Sequence, residues 1–426
     1  MADTIIYHID VNSAFLSWSA KKRLEEQPEE PDIRTITSVI GGDKQKRHGI
    51  VLAKSTLAKR FGIVTGEPLI RASEKCPNLQ VFSPDFAYYV KQSNAFITLL
   101  KEVAPTVEQY SIDEAFCDMT GTKSLYGNPV EFAHTLRERI YRELGFSVNI
   151  GVSVNKLLAK MASEFQKPNR THTLFPEEIP QKMWPLPVGE LFFVGRSTEK
   201  KLHTLGIHTI GELAACNPAF LTSHFRKHGE TIWNYANGRD LDFAASHDVA
   251  NKGYSNETTL HADVTDAETA KMILLSLAET VGARIRADKA YVSVISVNLV
   301  TCDFERYSHQ KSLYSATNIT EEIYQTACAL FDQMWKHEPI RLIGVATSKA
   351  TFEQSYQYDL FQSENYEKLS KLNSALDSIR DKYGSNAVTR ACFLDEKNKI
   401  SKGMSAAKFE HKKTDKNNFT SIDVSQ

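Results

Sequence analysis

An aspartate, Asp10, closes the apolar run Ile5-Ile6-Tyr7-His8-Ile9, and far downstream two acids stand side by side in Tyr110-Ser111-Ile112-Asp113-Glu114-Ala115-Phe116. Both segments are rich in β-favouring residues, so each carboxylate lies on or beside a strand, where an apolar side chain is expected. A fold that brings these strands together must neutralise three like charges. Hard divalent cations with oxygen ligands do this, and Mg²⁺ keeps positions open for phosphate oxygens. The pattern points to a two-metal phosphoryl-transfer site. Taken alone, Asp113-Glu114 also suits an acidic hairpin turn, because spacing along the chain does not establish convergence in space.

The surrounding pattern divides a chain of 426 residues into several domains. A strand at 4–10 leads into a helix at 13–24. Strands at 35–40 and 50–53 flank Gly41-Gly42, and a helix runs through Lys59. Residues 12–83 read as a small insertion in a larger sheet domain. That domain resumes with a helix at 88–103, a hairpin at 108–119 with the acidic pair at its tip, and a helix at 129–144. A strand at 147–153 and a helix at 156–165 complete it. Residues 175–245 read as short helices joined by glycine-containing turns. Residues 253–352 run strand, helix, strand, strand, helix, strand, a ferredoxin-like βαββαβ order. In its central strand Val292, Val294 and Ser296 are expected on one face, and Ile295, Val297 and Leu299 on the other. A helix over 364–383 follows, and residues 396–426 have the polar, Lys-rich composition of a disordered tail.

Charge adds little: 51 basic against 52 acidic residues leave no global excess to announce a nucleic-acid partner. Local clusters such as Lys44-Gln45-Lys46-Arg47-His48 and Lys59-Arg60 would have to supply one, and each also suits a solvated face. None of the six cysteines stands at C-x-x-C spacing, which argues against a zinc site or a disulfide framework and suits a reducing cytosol. With no signal peptide and no apolar run near the roughly 18–20 residues of a membrane span, a cytoplasmic protein is expected.

Five segments in order, HIDVNSAF (8–15), KRFGIVTGEP (59–68), YSIDEAF (110–116), IGVSVNKLLAKMAS (150–163) and KPN (167–169), resemble the motifs of Y-family DNA polymerases, nearest the bacterial polymerase IV and UmuC group. The resemblance covers residues 4 to about 395. It implies an α+β right-hand polymerase: palm at 1–11 and 84–174, fingers at 12–83, helical thumb at 175–245 and little finger at 253–352. It further implies template-directed synthesis on damaged DNA without proofreading, with primed template and deoxynucleoside triphosphates as substrates and a monomeric protein. Two Mg²⁺ ions would be held by Asp10, Asp113, Glu114 and the Val11 carbonyl, and Phe15 would be the gate against a 2′-hydroxyl. Phe15 alone also fits a core aromatic.

The same resemblance assigns Lys167 to the triphosphate. Thr56 and Lys59 stand where relatives carry a tyrosine and an arginine, so bidentate phosphate contact is lost. Lys156 and Lys160, one turn apart on one helix face, are weaker phosphate or DNA candidates. Ile40, Ile50 and Leu52 would roof the nascent base pair. Gly195, Arg196 and Ser197, where relatives often show Gly-x-Gly, either present N–H groups to DNA phosphates or simply connect helices. Gln357, Leu360 and Phe361, within residues 353–395, resemble a sliding-clamp docking peptide. Two other classes remain open: a non-catalytic DNA- and clamp-binding accessory protein, motivated by Thr56, Lys59 and Ser197, and a palm-fold nucleotide cyclase suggested by Gly41-Gly42-Asp43.

Overall fold

The structure, a computed structural model, describes residues 4–42, 49–240, 251–353, 363–384 and 387–393. It forms two compact units, one within Met1–Gly42 and Ile50–Asp248, the other within Val249–Gln426. The main elements of the first are β1 (Ile6–Val11), α1 (Ala14–Glu26), β2 (Ser38–Gly41), β3 (Val51–Lys54), α2 (Thr56–Arg60), α3 (Leu69–Lys75) and β4 (Gln80–Phe82). There follow α4 (Phe86–Val103), β5 (Thr106–Gln109), β6 (Glu114–Asp118), α5 (Pro129–Leu144), β7 (Val148–Ser153), α6 (Lys156–Glu164) and β8 (Thr171–Thr173). They build a five-stranded sheet, β5-β6-β1-β7-β8, and a three-stranded one, β3-β2-β4.

β1 is buried along its whole length because helices cover both faces of the larger sheet. Tyr7, Ile9 and Val11 enter one core with Ala115 and Cys117 of β6 and with Phe96, Leu100, Leu136 and Ile140 of α4 and α5. Ile6 packs on the other face with Phe116 and Ala159 of α6. Strand alternation puts His8 and Asp10 on that second face. The antiparallel register pairs His8 with Phe116 and Asp10 with Glu114. The expected strands therefore do become neighbours, with two of the three acids cross-strand partners.

α1 serves both sheets: Ala14 and Trp18 join the large core, while Leu16 and Ala20 pack with Ile33, Ile40 and Ala53 around the small one. The insertion expected from residue 12 is thus anchored through a shared helix. β4 has three residues, too few for a periodic signal, and is recognisable only by its parallel pairing with β2.

α6 lies directly against β7. A Cβ on Gly151 would stand 1.9 Å from the Ala159 carbonyl oxygen and 2.6 Å from the Ser163 nitrogen. On its other side α6 contributes Leu157, Leu158 and Met161 to a core shared with the helical segment, α7 (Arg196–Thr204), α8 (Ile210–Ala215), α9 (Pro218–Phe225) and α10 (Lys227–Ala236). Gly195-Arg196-Ser197 forms the start of a helix. Gly195 is the N-cap at φ −84°, and Ser197 is already helical, so neither position needs a glycine-only conformation.

The second unit carries β9 (Ser255–Val264), α11 (Ala267–Ala287), β10 (Tyr291–Thr301), β11 (Arg306–Thr317), α12 (Thr320–Met334) and β12 (Ile340–Thr351), in sheet order β11-β10-β12-β9. This is the ferredoxin-like order. One expected face needs correction: the register with β11 shifts between Val292 and Val294, the extra residues lying on β11, and Val292 stands in the core with Ile295, Val297 and Leu299. α13 (Ser363–Tyr383) is held by ion pairs, Arg286 with Asp377 and Arg380 with Glu279.

Gly151→Ala should lower stability by roughly 1–3 kcal/mol or more, the cost of forcing α6 off the sheet. Urea unfolding of the two proteins measures it, and an unchanged midpoint contradicts the packing described.

Candidate active site

The carboxyl end of β1, the turn before β6, the start of α1, the small sheet and the loop after α6 surround a cavity of about 430 Å³. Asp10, Val11 and Asp113 line one side, Thr56 and Lys59 the other, with Phe15 and Lys167 between them. The Val11 N–H donates to the Asp113 carbonyl oxygen at 3.0 Å, which ties the acidic turn to the end of β1.

The carboxylates differ in their surroundings. Asp10 is buried and accepts a 2.7 Å hydrogen bond from Lys167 Nζ, which also reaches Glu164 at 2.8 Å. Burial pushes the Asp10 carboxyl up to about 7, against the opposing pull of Lys167. Asp113 accepts from the Ser111 hydroxyl at 2.6 Å. Glu114 does not line the cavity. It pairs with Lys160 Nζ at 2.8 Å, with the fully buried His8 ring 3.6 Å away. Burial works to raise its carboxyl, but His8 and Lys160 outweigh that and hold it well below the usual carboxylate range. Lys156 is paired too, with Glu108.

Two buried amides hold this side of the site. Asn12 Nδ2 donates to Asn149 Oδ1 at 3.2 Å, and Asn12 Oδ1 accepts from the Asn169 N–H at 2.8 Å. Asn149 Nδ2 donates to the carbonyls of Ser163 and Gln166. They fix the loop that carries Lys167. Neither asparagine was singled out from the sequence, although a polar residue inside the apolar run Val148-Asn149-Ile150 is a readable signal.

Phe15 stacks on Tyr89, with centroids 4.7 Å apart and planes at 9°, and meets the edge of Phe86 at 6.0 Å. Its ring is buttressed from behind while lining the cavity. Of the expected roof only Leu52 lines the cavity. Ile40 is fully buried in the core of the small sheet because it pairs with Ala53 at the sheet centre, and Ile50 sits at the sheet end, bridged to Pro68 and 44% exposed. Lys54, two residues from Leu52 on the same strand, faces the cavity and was not foreseen. Gln357, Leu360, Phe361 and Asp43 lie outside the described residues.

The impB/mucB/samB family matches residues 9–164, the IMS family HHH motif 176–207, and the impB/mucB/samB family C-terminal domain 251–360. The chain is 49% identical to a DNA polymerase IV of Clostridium acetobutylicum over 93% of its own length and 99% of that protein's. It is 34% identical to a DNA polymerase IV 2 of Bacillus subtilis over 92% and 95%. The chain belongs to the Y-family DNA polymerases. A solved Y-family DNA polymerase chimera shares the fold, with a TM-score of 0.69 at 21% identity over 82% of this chain and 100% of the other.

A Y-family polymerase acts on primed DNA and nucleoside triphosphates, which sets aside the accessory-protein and cyclase readings. Polymerases of this family depend on metal ions. Among the described residues no three His, Cys, Asp or Glu side chains stand close enough to hold an ion as arranged. The donor set nevertheless fits a hard divalent cation: the donors are all oxygens, and Asp10 and Glu114 each carry a lysine ammonium in the place a cation would neutralise. No helix among the described residues is long and apolar enough to cross a membrane.

Because folding raises the Asp10 pKa, the folded state binds its proton more tightly than the unfolded chain. Stability is therefore lost as pH rises from the ordinary carboxylate range through about 7. In metal-free buffer Asp10→Asn should melt higher than the parent, with a gap that widens across that window. A gap that is constant with pH contradicts the burial argument.

Proposed function

We propose that this polymerase adds deoxynucleotides to a primer 3′ end by two-metal nucleotidyl transfer in the cavity beside β1. It is a translesion enzyme of low processivity without proofreading. The observation that carries the reading is one cavity lined at once by Asp10, Asp113, Phe15, Thr56, Lys59 and Lys167. Asp10 and Asp113, the Val11 carbonyl and Glu114 would hold two Mg²⁺ ions. When bound, these lower the pKa of the attacking hydroxyl and neutralise the departing pyrophosphate. A bond forms between the primer 3′-oxygen and the α-phosphorus, the bridging bond to the β-phosphate breaks, and the hydroxyl proton leaves to solvent.

The chain's own residues bind and select. Lys167, Lys59 and the Thr56 hydroxyl take the triphosphate, as point charges and a donor rather than a bidentate fork. The Phe15 ring, held from behind by Tyr89, occupies the space a 2′-hydroxyl would need. Leu52 covers the nascent pair. Around them we assign palm to 1–11 and 84–174, fingers to 12–83, thumb to 175–245 and little finger to 253–352. The exposed N–H groups at Gly195, Arg196 and Ser197 begin α7 and suit a DNA phosphate. Backbone phosphate contacts make DNA affinity fall with salt. Tethering to a sliding clamp through Gln357, Leu360 and Phe361 offsets weak DNA binding by raising effective concentration. The enzyme acts as a cytoplasmic monomer.

Primer extension by the purified protein tests the site. Asp113→Asn or Glu114→Gln should lower the extension rate by several orders of magnitude while leaving affinity for primed DNA in place, and near-parental rates contradict the assignment. Phe15→Ala should raise ribonucleotide insertion relative to deoxyribonucleotide, and an unchanged sugar preference removes the gate.

A further inference from the structure

Among the described residues the lysines of α6 and the loop after it are matched, the cavity-lining Lys167 with Asp10, and Lys160 with Glu114 and Lys156 with Glu108. The small-sheet side is different. Lys54 projects from β3 on the same face as Leu52, and Lys59 from α2, and both line the cavity. Among the described residues neither has a carboxylate within ion-pair reach. Among the described residues the acid that acts on Lys54 is Glu67, whose Oε2 is taken by Lys75 at 2.5 Å and Oε1 by the Val64 N–H at 2.8 Å. Among the described residues Lys54 has one hydrogen-bond partner, the Thr65 hydroxyl at 3.4 Å, itself a cavity-lining group. Burial and the like charge of Lys59 hold the Lys54 ammonium below its usual range, so the arrangement is electrostatically incomplete.

We propose that Lys54, with Thr65 beside it, is a further binding residue for the polyphosphate tail of the incoming nucleotide, closing with Lys59 the small-sheet side of the cavity. Two uncompensated ammonium groups facing one cavity call for a polyanion, and a triphosphate supplies oxygens enough to bind both. Summed point charge then does what one bidentate guanidinium would do, with less geometric selectivity and more dependence on salt. The inference rests on the cavity being the nucleotide pocket.

Steady-state single-nucleotide extension with the full chain and primed DNA tests it. Lys54→Met should raise KM for the nucleoside triphosphate about tenfold, the loss of one contact to a charged group, with kcat and DNA affinity little changed. Lys54→Arg should restore most of it. Inorganic tripolyphosphate, used as a competitive inhibitor, should lose affinity in Lys54→Met by a similar factor but not in Lys75→Met, whose ammonium is already paired. Lys54→Gln provides a second neutral variant should Lys54→Met melt early. If KM and tripolyphosphate inhibition stay at parental values in Lys54→Met while Lys59→Met and Lys167→Met raise KM, the Lys54 inference is overturned and the pocket stands. If all three leave KM unchanged, the pocket reading falls with it.

Discussion

The antiparallel register between β1 and β6 is the constraint on which the site depends. It sets Asp10 opposite Glu114, and the bond from the Val11 N–H to the Asp113 carbonyl carries that register one step into the turn. A slip of one residue would turn Asp10 into the apolar core now filled by Tyr7, Ile9 and Val11. The hydrophobic alternation that folds the sheet therefore also aims the carboxylates.

That aim creates an electrostatic problem that α6 answers. Close approach at Gly151 lets the helix lie on the acid-bearing face, where Lys160 and the following Lys167 meet Glu114 and Asp10. Asn12 and Asn149 satisfy the backbone of the loop behind Lys167, so the cation is held by a packed, hydrogen-bonded frame. On the opposite wall Lys54 and Lys59 have no carboxylate within ion-pair reach among the described residues, and in the proposed reading their charge meets the anionic substrate.

Much of this was legible in the sequence because it is local. Runs of β-favouring residues marked β1 and β7, and the last domain's element order could be read directly. What was not legible depends on partners distant in the chain. β4 exists only because it pairs with β2. Val292 stands in the core beside a register shift with β11 that alternation cannot show. Ile40 and Leu52 are both apolar residues on short strands; Ile40 is core because β2 is the central strand of the small sheet, while Leu52 on β3 only borders that core and meets the cavity. Lys54 resembled any surface lysine until the pairing of Glu67 with Lys75 was known. The register opposes Glu114 to Asp10, and neither that pairing nor its lysine partner could be inferred from spacing.

The central claim is that Asp10, Asp113 and Glu114 together hold the ions of the reaction. The most direct measurement is an anomalous difference map from a crystal of the protein with primed template, a non-hydrolysable nucleotide and Mn²⁺ in place of Mg²⁺. The account predicts two peaks, both within bonding distance of Asp10 and Asp113 and one also bonded to Glu114. A map with no peak at these carboxylates, and nucleotide bound elsewhere, would contradict it.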